Sequence, residues 1–199
     1  TRMAVLARVN YNYDKRYYLT FTARADGSSV FADGNKWGFF PAGAFRWTIS
    51  NERFMRDVKW ISDLSLRLSG GRSGNDAVSS YMSLATLGTG QGWLFNDNRY
   101  IVYYPSKLAN SNLTWETTDS YNVGINFGVL RNRIVLEAEF YQSFTSDLLL
   151  SMKNSQVTGY DTYYNNVGST RNTGIEFSIT SRNIVLPKFS WSTTFTIAH

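Results

Sequence analysis

The sequence predicts an all-β fold, an antiparallel transmembrane β-barrel segment of about eight strands. Three observations predict it. Apolar and polar side chains alternate with period two along nearly the whole chain. The connections between the predicted strands alternate between short turns and longer loops. Aromatic residues make up 16% of the 199 residues and charged residues only 18%, below the roughly 25% of typical soluble domains.

The first predicted strand shows the alternation along its whole length. Its odd-numbered residues from Met3 to Tyr13 are apolar or aromatic, whereas Arg8, Asn10 and Asn12 are polar. The later segments repeat this pattern, which is that of a strand with one apolar and one polar face. The predicted strands cover about residues 3–13, 17–26, 37–50, 64–69, 113–127, 134–145, 175–179 and 189–197.

The alternation is interrupted at three places. Pro41 falls inside the third strand and predicts a bulge or an irregular start there, because proline cannot donate a ladder hydrogen bond. Residues 51–61 favour a helical turn that Ser50 or Asn51 could cap. Residues 70–112 lose their periodicity, which predicts a long loop with a functional role.

The connections sort by length. Those near residues 14, 131 and 185 are short, and the one near residue 55 is of middling length. Those near residues 30, 90 and 160 are longer, the last covering residues 151–172. Short turns on one side and long loops on the other are typical of an outer-membrane barrel. The alternative, a soluble antiparallel sheet with one wet face, has no reason to sort its connections in this way.

Composition excludes several classes of function. The chain contains no run of about 18 apolar residues, so no transmembrane helix is predicted. The net charge of +5 is spread without a basic run, which argues against a nucleic-acid partner. With no cysteine and one histidine, His199, we expect no thiolate or multi-histidine metal site, no catalytic triad, no enzyme activity and no cofactor. Calcium at residues 26–29 or at Asn75 and Asp76 is a minor alternative, because neither segment has the spacing of a known calcium loop.

Charged residues deep within the predicted strands favour a water-filled or plug-filled lumen. An arginine at the midplane of the hydrocarbon would cost about 2–4 kcal/mol, whereas a lumen tolerates it. Two interpretations stay open: these charges pair with a plug or with one another, or they contact a substrate directly. The candidate lumen-facing residues are Arg24, Arg46, Arg67, Glu116, Glu137 and Glu139.

The long loop over residues 70–112 is rich in aromatic residues. Aromatic side chains stack on sugar rings and anchor protein interfaces, so the functional interpretation is a surface that contacts a ligand or a lid. The alternative is that the rings pack within the loop or against its neighbours. The candidate contact residues are Tyr81, Trp93, Phe95, Tyr100, Tyr103 and Tyr104.

Five segments carry motifs in a fixed order. Residues 8–31 read RVNYNYDKRYYLTFTARADGSSVF, and residues 37–55 read WGFFPAGAFRWTISNERFM. Residues 61–75, 108–134 and 165–179 continue with ISDLSLRLSGGRSGN, LANSNLTWETTDSYNVGINFGVLRNRI and NNVGSTRNTGIEFSI. This ordered series, which covers most of the chain, resembles the SusC/RagA family of TonB-linked outer-membrane transporters.

The resemblance implies a barrel of about 22 strands with an N-terminal plug. It implies a multi-pass protein of the outer membrane, in contact with its lipid, that imports oligosaccharides or peptides. The energy would come from the TonB complex, and the partner would be a SusD-like surface lipoprotein acting as a lid. Residues 1–199 would then be part of the barrel domain, with the plug and the segment that contacts TonB missing, since Thr1 and His199 both fall at strand-like ends.

Two other functions remain as alternatives. The first is a small stand-alone outer-membrane barrel of eight strands that serves as an anchor or adhesin. The second is a soluble carbohydrate-binding β-sandwich, which would have to cover its rows of aromatic side chains.

Overall fold

A computed structural model describes residues 1–79, 83–96, 98–160 and 162–199. Strands dominate it, with short 3-10 turns at Ile49–Asn51, Arg53–Met55 and Gln156–Thr158. No helix in these ranges is both long and apolar enough to cross a membrane. The strands are β1 (Arg2–Tyr13), β2 (Tyr17–Ser28), β3 (Trp37–Thr48), β4 (Ile61–Asn75), β5 (Thr86–Phe95), β6 (Asn98–Lys107), β7 (Glu116–Val129), β8 (Ile134–Ser146), β9 (Leu149–Lys153), β10 (Thr162–Asn166), β11 (Ser169–Leu186) and β12 (Phe189–Ala198).

Eight strands form one antiparallel sheet, which we call the wall sheet. Its order is β1-β2-β3-β4-β7-β8-β11-β12, so every strand pairs with the wall strand that precedes or follows it in the chain. These are the eight strands predicted from the alternation, and the prediction is confirmed. Several of these strands are longer than predicted: β4 continues to Asn75, and β11 begins at Ser169.

The register sorts the wall sheet into two chemically different faces. Residues paired across an antiparallel sheet point to the same side, so each row of partners shares one environment. The apolar face is defined by the row Tyr11, Leu19, Phe45, Leu68, Val123, Phe140 and Ile175. The polar face is defined by the adjacent row Asn12, Tyr18, Arg46, Arg67, Gly124, Glu139 and Glu176.

The apolar face is uncovered within the described residues. Val9 is 65% exposed and Phe39 62% exposed, although both belong to residue types that usually avoid water. An exposed apolar surface that runs across eight strands requires a partner or an apolar solvent. It also argues against a β-sandwich, in which such a face would pack on a second sheet.

A β-bulge in β11 keeps the apolar face continuous near the last turn. Arg182 pairs with Ser192 and Ile184 pairs with Trp191, which leaves Asn183 as an extra residue. Before the bulge, the odd-numbered residues of β11 point to the apolar face. After the extra residue the even-numbered ones do, so Ile184 joins the side chains on the apolar face. The connection predicted around residues 183–188 is therefore shorter than expected, since only residues 187–188 separate β11 from β12.

The connections alternate between the two ends of the wall sheet and sort by length with one exception: residues 49–60, at the end with the short turns, form a longer connection than residues 29–36 at the other end, the reverse of the predicted order. Residues 14–16, 49–60, 130–133 and 187–188 join wall strands at one end, which we call the short-turn edge. Residues 29–36, 76–115 and 147–168 join them at the other end, the long-loop edge. Leu130, Arg131 and Asn132 all have positive φ, the backbone conformation that lets the chain reverse within so few residues.

The two longest connections are not irregular, and here the prediction was wrong. Strands β5, β6, β10 and β9 form a second sheet, the loop sheet, in that order. The β5–β6 hairpin is interrupted by register shifts between Thr86 and Leu87 and between Gly90 and Trp93. Such shifts break the period of two, and this is why the sequence pattern gave no sign of these strands.

Two local predictions were also wrong. Pro41 pairs with Ala23 of β2 without any register shift, and β3 pairs with β4 only from Ala42 onwards. Proline is tolerated because it lies just beyond the paired stretch on the β4 side. Residues 49–55 form two 3-10 turns instead of one capped helix, and neither turn has a side-chain cap.

A small core joins the long-loop edge to the wall sheet. Phe31, Phe40, Leu113 and Trp115 are the buried hydrophobic residues of the described chain. The Trp115 ring lies 5.2 Å from that of Phe31 and 5.3 Å from that of Phe40. A Cβ atom added at Gly38 or Gly74 would overlap the Phe40 ring, so the ring rests directly on backbone. Phe40 therefore anchors the loops to β3 and β4.

Asparagine side chains tie the loops to each other. The Asn166 amide donates to the carbonyl of Thr114 at 2.9 Å, and the Thr114 amide donates to Asn166 Oδ1 at 2.8 Å. Asn110 donates to the carbonyl of Tyr164 at 2.8 Å. Because these bonds join backbone groups of one connection to side chains of the other, they fix the two long connections to one another.

Glu52 organises the short-turn edge. Its carboxylate is 7% exposed and accepts hydrogen bonds from Tyr17 Oη at 2.6 Å, Trp47 Nε1 at 3.0 Å and Arg16 Nη1 at 3.1 Å. The hydrogen bond from Tyr17 and that from Trp47 lower the pKa of Glu52; burial opposes this, and Arg16 lowers the pKa further. The carboxylate thus holds two rings of the apolar face and a turn arginine in one network.

We expect Glu52 to stabilise the fold in a pH-dependent manner. Because its folded pKa lies below the ordinary value of about 4.3, its contribution is complete above that value and is lost as the pH falls through the lowered pKa. The difference in unfolding temperature between wild type and Glu52→Gln should be largest near neutral pH and should close in acid. Thermal unfolding of the gene product that carries this chain, followed by gel mobility, measures this.

Asp14→Asn is the matched control. Asp14 also contacts Arg16, at 2.8 Å, but its side chain is 70% exposed, so it should contribute little at any pH. A constant difference between wild type and Glu52→Gln from neutral to acidic pH would contradict the prediction.

Candidate functional site on the polar face and the loop sheet

The polar face carries charges that segregate by strand. Arg24, Arg46 and Arg67 lie on β2, β3 and β4, and Glu137 and Glu139 lie on β8. The register places all five on the polar face, and it places the sixth candidate, Glu116, there as well, at the start of β7. Among these six candidates, the basic side chains thus lie on one part of the face and the acidic ones on another, although Asp26 and Asp63 lie among the arginines.

Arg67 and Glu139 connect the two parts. Arg67 Nη2 lies 3.3 Å from Glu139 Oε2, although β7 runs between their strands. The residue of β7 in register with both is Gly124, and a Cβ atom added there would stand 3.1 Å from Arg67 Nη2. The missing side chain of Gly124 therefore leaves the space through which the arginine reaches.

Two carboxylates oppose each other beside this ion pair. Glu139 is directly paired with Glu176 of β11 on the polar face. Like charges in this position are destabilising, and Arg67 offsets the repulsion from one side. Among the residues that the structure describes, Glu176 has neither an ion pair nor a hydrogen bond to its carboxylate.

The other candidate charges have local partners. Arg24 donates two hydrogen bonds to Asp26, at 2.6 and 2.8 Å, and Glu137 accepts one from Asn126 at 3.1 Å. Arg46 lies 3.9 Å from Asp63. Glu116 accepts from Asn75 Nδ2 and from the Leu149 amide, both at 3.1 Å, and so links the end of β4 to β9. Among the six predicted lumen-facing residues, Glu116 therefore stabilises the junction between the wall sheet and the loop sheet.

Several concave regions lie on this face, and charges of both signs line two of them. One of about 240 Å³ is lined by Tyr18, Arg46, Arg67, Asn122 and Glu139, with other neighbours. The other, of about 520 Å³, lies towards the long-loop edge and is lined in part by Arg8, Arg24, Asp26, Asp76 and Trp115. Their size falls in or near the range of small-ligand sites, and both signs of charge line each of them.

The predicted calcium ligands are already engaged with arginines. Asp26 accepts from Arg24, and Asp76 Oδ2 lies 2.9 Å from Arg2 Nε. In the described ranges, no group of three or more His, Cys, Asp or Glu side chains could hold a metal ion. Calcium at these loops stays an untested prediction.

The loop sheet separates the candidate aromatic residues. The Tyr104 ring covers Gly88 and Gly90, where an added Cβ atom would come within 3.0 and 3.4 Å of it. Tyr103 lies on the opposite face of the hairpin and is 66% exposed. Tyr100, 56% exposed, shares the face of Tyr104. Tyr81 lies outside the described residues, as do the side chains of Trp93 and Phe95.

The exposed face of the hairpin includes aliphatic residues that the sequence did not single out. Leu87, Leu94 and Ile101 share the face of Tyr103 and are 69%, 73% and 66% exposed. We call these four residues the hairpin patch. Only the register, with its two shifts, brings them to one side, so the spacing in the sequence could not have shown it.

The sequence is similar to known outer-membrane receptors along its whole length. A family model described as TonB dependent receptor-like, beta-barrel matches residues 1–199. The chain is 38% identical over 193 residues to TonB-dependent receptor P3 of Formosa agariphila, covering 97% of this chain and 19% of that protein. It is 38% identical over 202 residues to TonB-dependent receptor SusC of Bacteroides thetaiotaomicron, covering 99% of this chain and 20% of that protein. The chain thus spans about a fifth of the length of these relatives.

Solved structures show the same fold. The RagAB peptide transporter matches with a TM-score of 0.81 at 29% identity, over 99% of this chain and 22% of that one. The siderophore receptor PirA of Pseudomonas aeruginosa matches with a TM-score of 0.63 at 19% identity, over 100% of this chain and 34% of that one. The second match supports the fold alone, whereas the first also agrees with the sequence relatives.

The geometry of the polar face predicts unequal effects for the two partners of its central ion pair. Arg67→Gln leaves Glu139 and Glu176 opposed without a counter-charge, whereas Glu139→Gln removes the repulsion together with the pair. We therefore expect Arg67→Gln to destabilise the gene product more than Glu139→Gln. The coupling between the two changes should be up to about 1 kcal/mol, because both side chains are partly exposed.

Urea unfolding of the two single variants and the double variant measures this coupling. Arg8→Gln serves as a control, since Arg8 donates only to the neutral hydroxyl of Thr22. Equal destabilisation by Arg67→Gln and Glu139→Gln would show that the opposed carboxylates carry no cost.

Proposed function

The chain belongs to the TonB-dependent receptor β-barrel family, and on that premise we propose that its gene product imports oligosaccharides or peptides across the outer membrane. The import would be active, driven by the TonB complex, and these residues would supply barrel wall and external loops. A partner lipoprotein of the SusD type would act as a lid over the long-loop edge. The segment that contacts TonB would lie in a plug outside these residues.

One observation carries the proposal: the wall sheet is apolar and exposed on one face and charged on the other. Hydrocarbon suits the first face, because burying its rings and aliphatic side chains in lipid removes them from water. The second face carries Arg46 and Arg67, each of which would cost about 2–4 kcal/mol at the bilayer midplane. A lumen therefore has to lie on that side, and solutes would pass along it.

Two relatives support two different classes of substrate. RagAB is a peptide transporter, and at 29% identity over 99% of this chain it supports peptides as cargo. SusC, at 38% identity, supports the family assignment and, through the SusC/RagA resemblance, oligosaccharides. The polar face has groups of both signs, which can bind the termini and side chains of peptides as well as neutral hydroxyl groups.

The hairpin patch supports contact with a lid. Its four side chains lie on one face of the β5–β6 hairpin, within a connection at the long-loop edge, and are 66–73% exposed. Exposed tyrosine with aliphatic neighbours is typical of the centre of a protein interface. We therefore assign lid contact to Tyr103, and a supporting role within the hairpin to Tyr104, which packs on its glycines.

Uptake should depend on both the gene and the TonB complex. Cells that lack the gene, or that lack TonB, should fail to accumulate labelled substrate, because a charged lumen closed by a plug does not pass large solutes passively. Parallel uptake assays with labelled peptides and labelled oligosaccharides identify the cargo. Uptake that persists in cells without TonB would contradict active import. If deletion of the gene reduces the uptake of neither peptides nor oligosaccharides, import itself is contradicted.

Tyr103→Ala should weaken the complex with the lipoprotein without unfolding the hairpin. Truncation of an aromatic residue at the centre of an interface typically costs about 1–2 kcal/mol, which is roughly a tenfold loss of affinity. Copurification of the lipoprotein with the tagged gene product measures the loss. Tyr104→Phe is the matched control, because it keeps the ring on Gly88 and Gly90 and should copurify as wild type does. Unchanged copurification of Tyr103→Ala would place the lid contact elsewhere.

A further inference from the structure

The apolar face changes character as it approaches the long-loop edge. On β4, β7, β8 and β11, the second row of paired residues of this face, counted from this edge, includes two arginines. We call this the boundary row, and it consists of Arg72, Asp119, Phe144 and Arg171. The alternation of the strands puts it on the same side as Tyr121 and Phe140, so it faces outwards and not into the lumen.

The chemistry changes over only a few residues along each strand. The last fully apolar row contains Leu68, Val123, Phe140 and Ile175. The next contains Gly70, Tyr121, Gln142 and Thr173, and then comes the boundary row. Beyond it lie only Gly74, Thr117, Ser146 and Ser169. A sequence of apolar, then aromatic and polar, then charged residues is what a membrane–water interface imposes.

Distances along β11 place Arg171 at that interface. The outward-facing apolar residues of this strand extend from Ile175 to Leu186, which is roughly 36 Å at about 3.3 Å per residue. With a strand tilt of about 40°, this corresponds to a height of roughly 28 Å, close to the apolar band of about 25 Å. Arg171 lies four residues further on, roughly 10 Å above the hydrocarbon, where its long side chain reaches the headgroup layer.

The two arginines of the boundary row differ in their charge balance. Arg72 Nε and Nη2 each lie 2.8 Å from an oxygen of Asp119, so this arginine is neutralised by a bidentate pair. Arg171 has no carboxylate partner among the described residues. Its guanidinium carbon instead lies 6.0 Å from the centre of the Phe144 ring. The ring restricts the side chain without removing its charge.

We propose that Arg171, positioned by Phe144, binds the phosphate group of an anionic lipid in the outer leaflet. A guanidinium offers two parallel N–H groups to a phosphate, and the acyl chains of the same lipid would lie on Phe140 and Ile175. A free phosphate ion would gain only the first of these contacts. The inference rests on the position of the chain in a membrane, and it holds whatever solute the lumen carries.

Native mass spectrometry of the gene product in a neutral detergent tests the proposal. Phosphatidylglycerol and phosphatidylcholine are added separately, and the first lipid adduct is quantified for each. We expect Arg171→Gln to weaken the first phosphatidylglycerol adduct about fivefold, the effect of one basic side chain at an anionic surface, and to leave the phosphatidylcholine adduct unchanged. Arg171→Lys should retain much of the phosphatidylglycerol adduct because it keeps the charge.

Arg8→Gln is the matched control, since Arg8 lies on the polar face and has a neutral partner. It should leave both adducts as in wild type. The proposal is overturned if Arg8→Gln weakens the phosphatidylglycerol adduct as much as Arg171→Gln does, or if Arg171→Gln and Arg171→Lys both bind like wild type. It is also overturned if inorganic phosphate at the concentration of the lipid displaces the lipid, because the site would then bind phosphate alone.

Discussion

The structure depends on one constraint: each wall strand must keep its apolar side chains on one side of the sheet and its polar side chains on the other, along its whole length. Side chains alternate with a period of two, so a shift of one residue in any pairing would turn Arg67 towards the hydrocarbon and Leu66 towards the lumen. Backbone groups inside the hydrocarbon also need partners, and the ladder between neighbouring wall strands provides them, with the extra residue of the β11 bulge as a local interruption. Register, face chemistry and length of the wall strands are therefore consequences of a single requirement.

The same constraint explains which parts of the fold could be predicted. The wall strands are long and two-sided, so their alternation is visible in the sequence, and their order in the sheet follows the order in which they occur along the chain. The loop sheet is not under this constraint. Strands β9 and β10 have only five residues each, and β5 and β6 pair with two register shifts and with Gly88 and Gly90 where side chains would mark a face, so the sequence pattern there resembles that of a loop.

The site shows a similar division. The side of the sheet on which Arg46, Arg67 and Glu139 lie follows from parity alone. Their partners do not, because the contact of Arg67 with Glu139 needs the register of three strands and the absence of a side chain at Gly124. Glu52 was missed for a related reason: nothing in the sequence connects it to Tyr17, which is 35 residues away. A dense hydrogen-bond network at a turn is a property of the folded chain.

Phe40 shows that one side chain can constrain residues on other strands and in the loops. Its ring fills the space that side chains at Gly38 and Gly74 would need, and it carries the packing of Phe31 and Trp115. Phe40, Gly38 and Gly74 therefore cannot change independently of one another during evolution. A lineage that replaces Phe40 with a small residue opens a void between wall and loops, and one that gains a side chain at Gly38 or Gly74 must first lose the ring. Among homologues these positions should therefore covary, and a change at one should accompany a different packing between the wall sheet and its long connections.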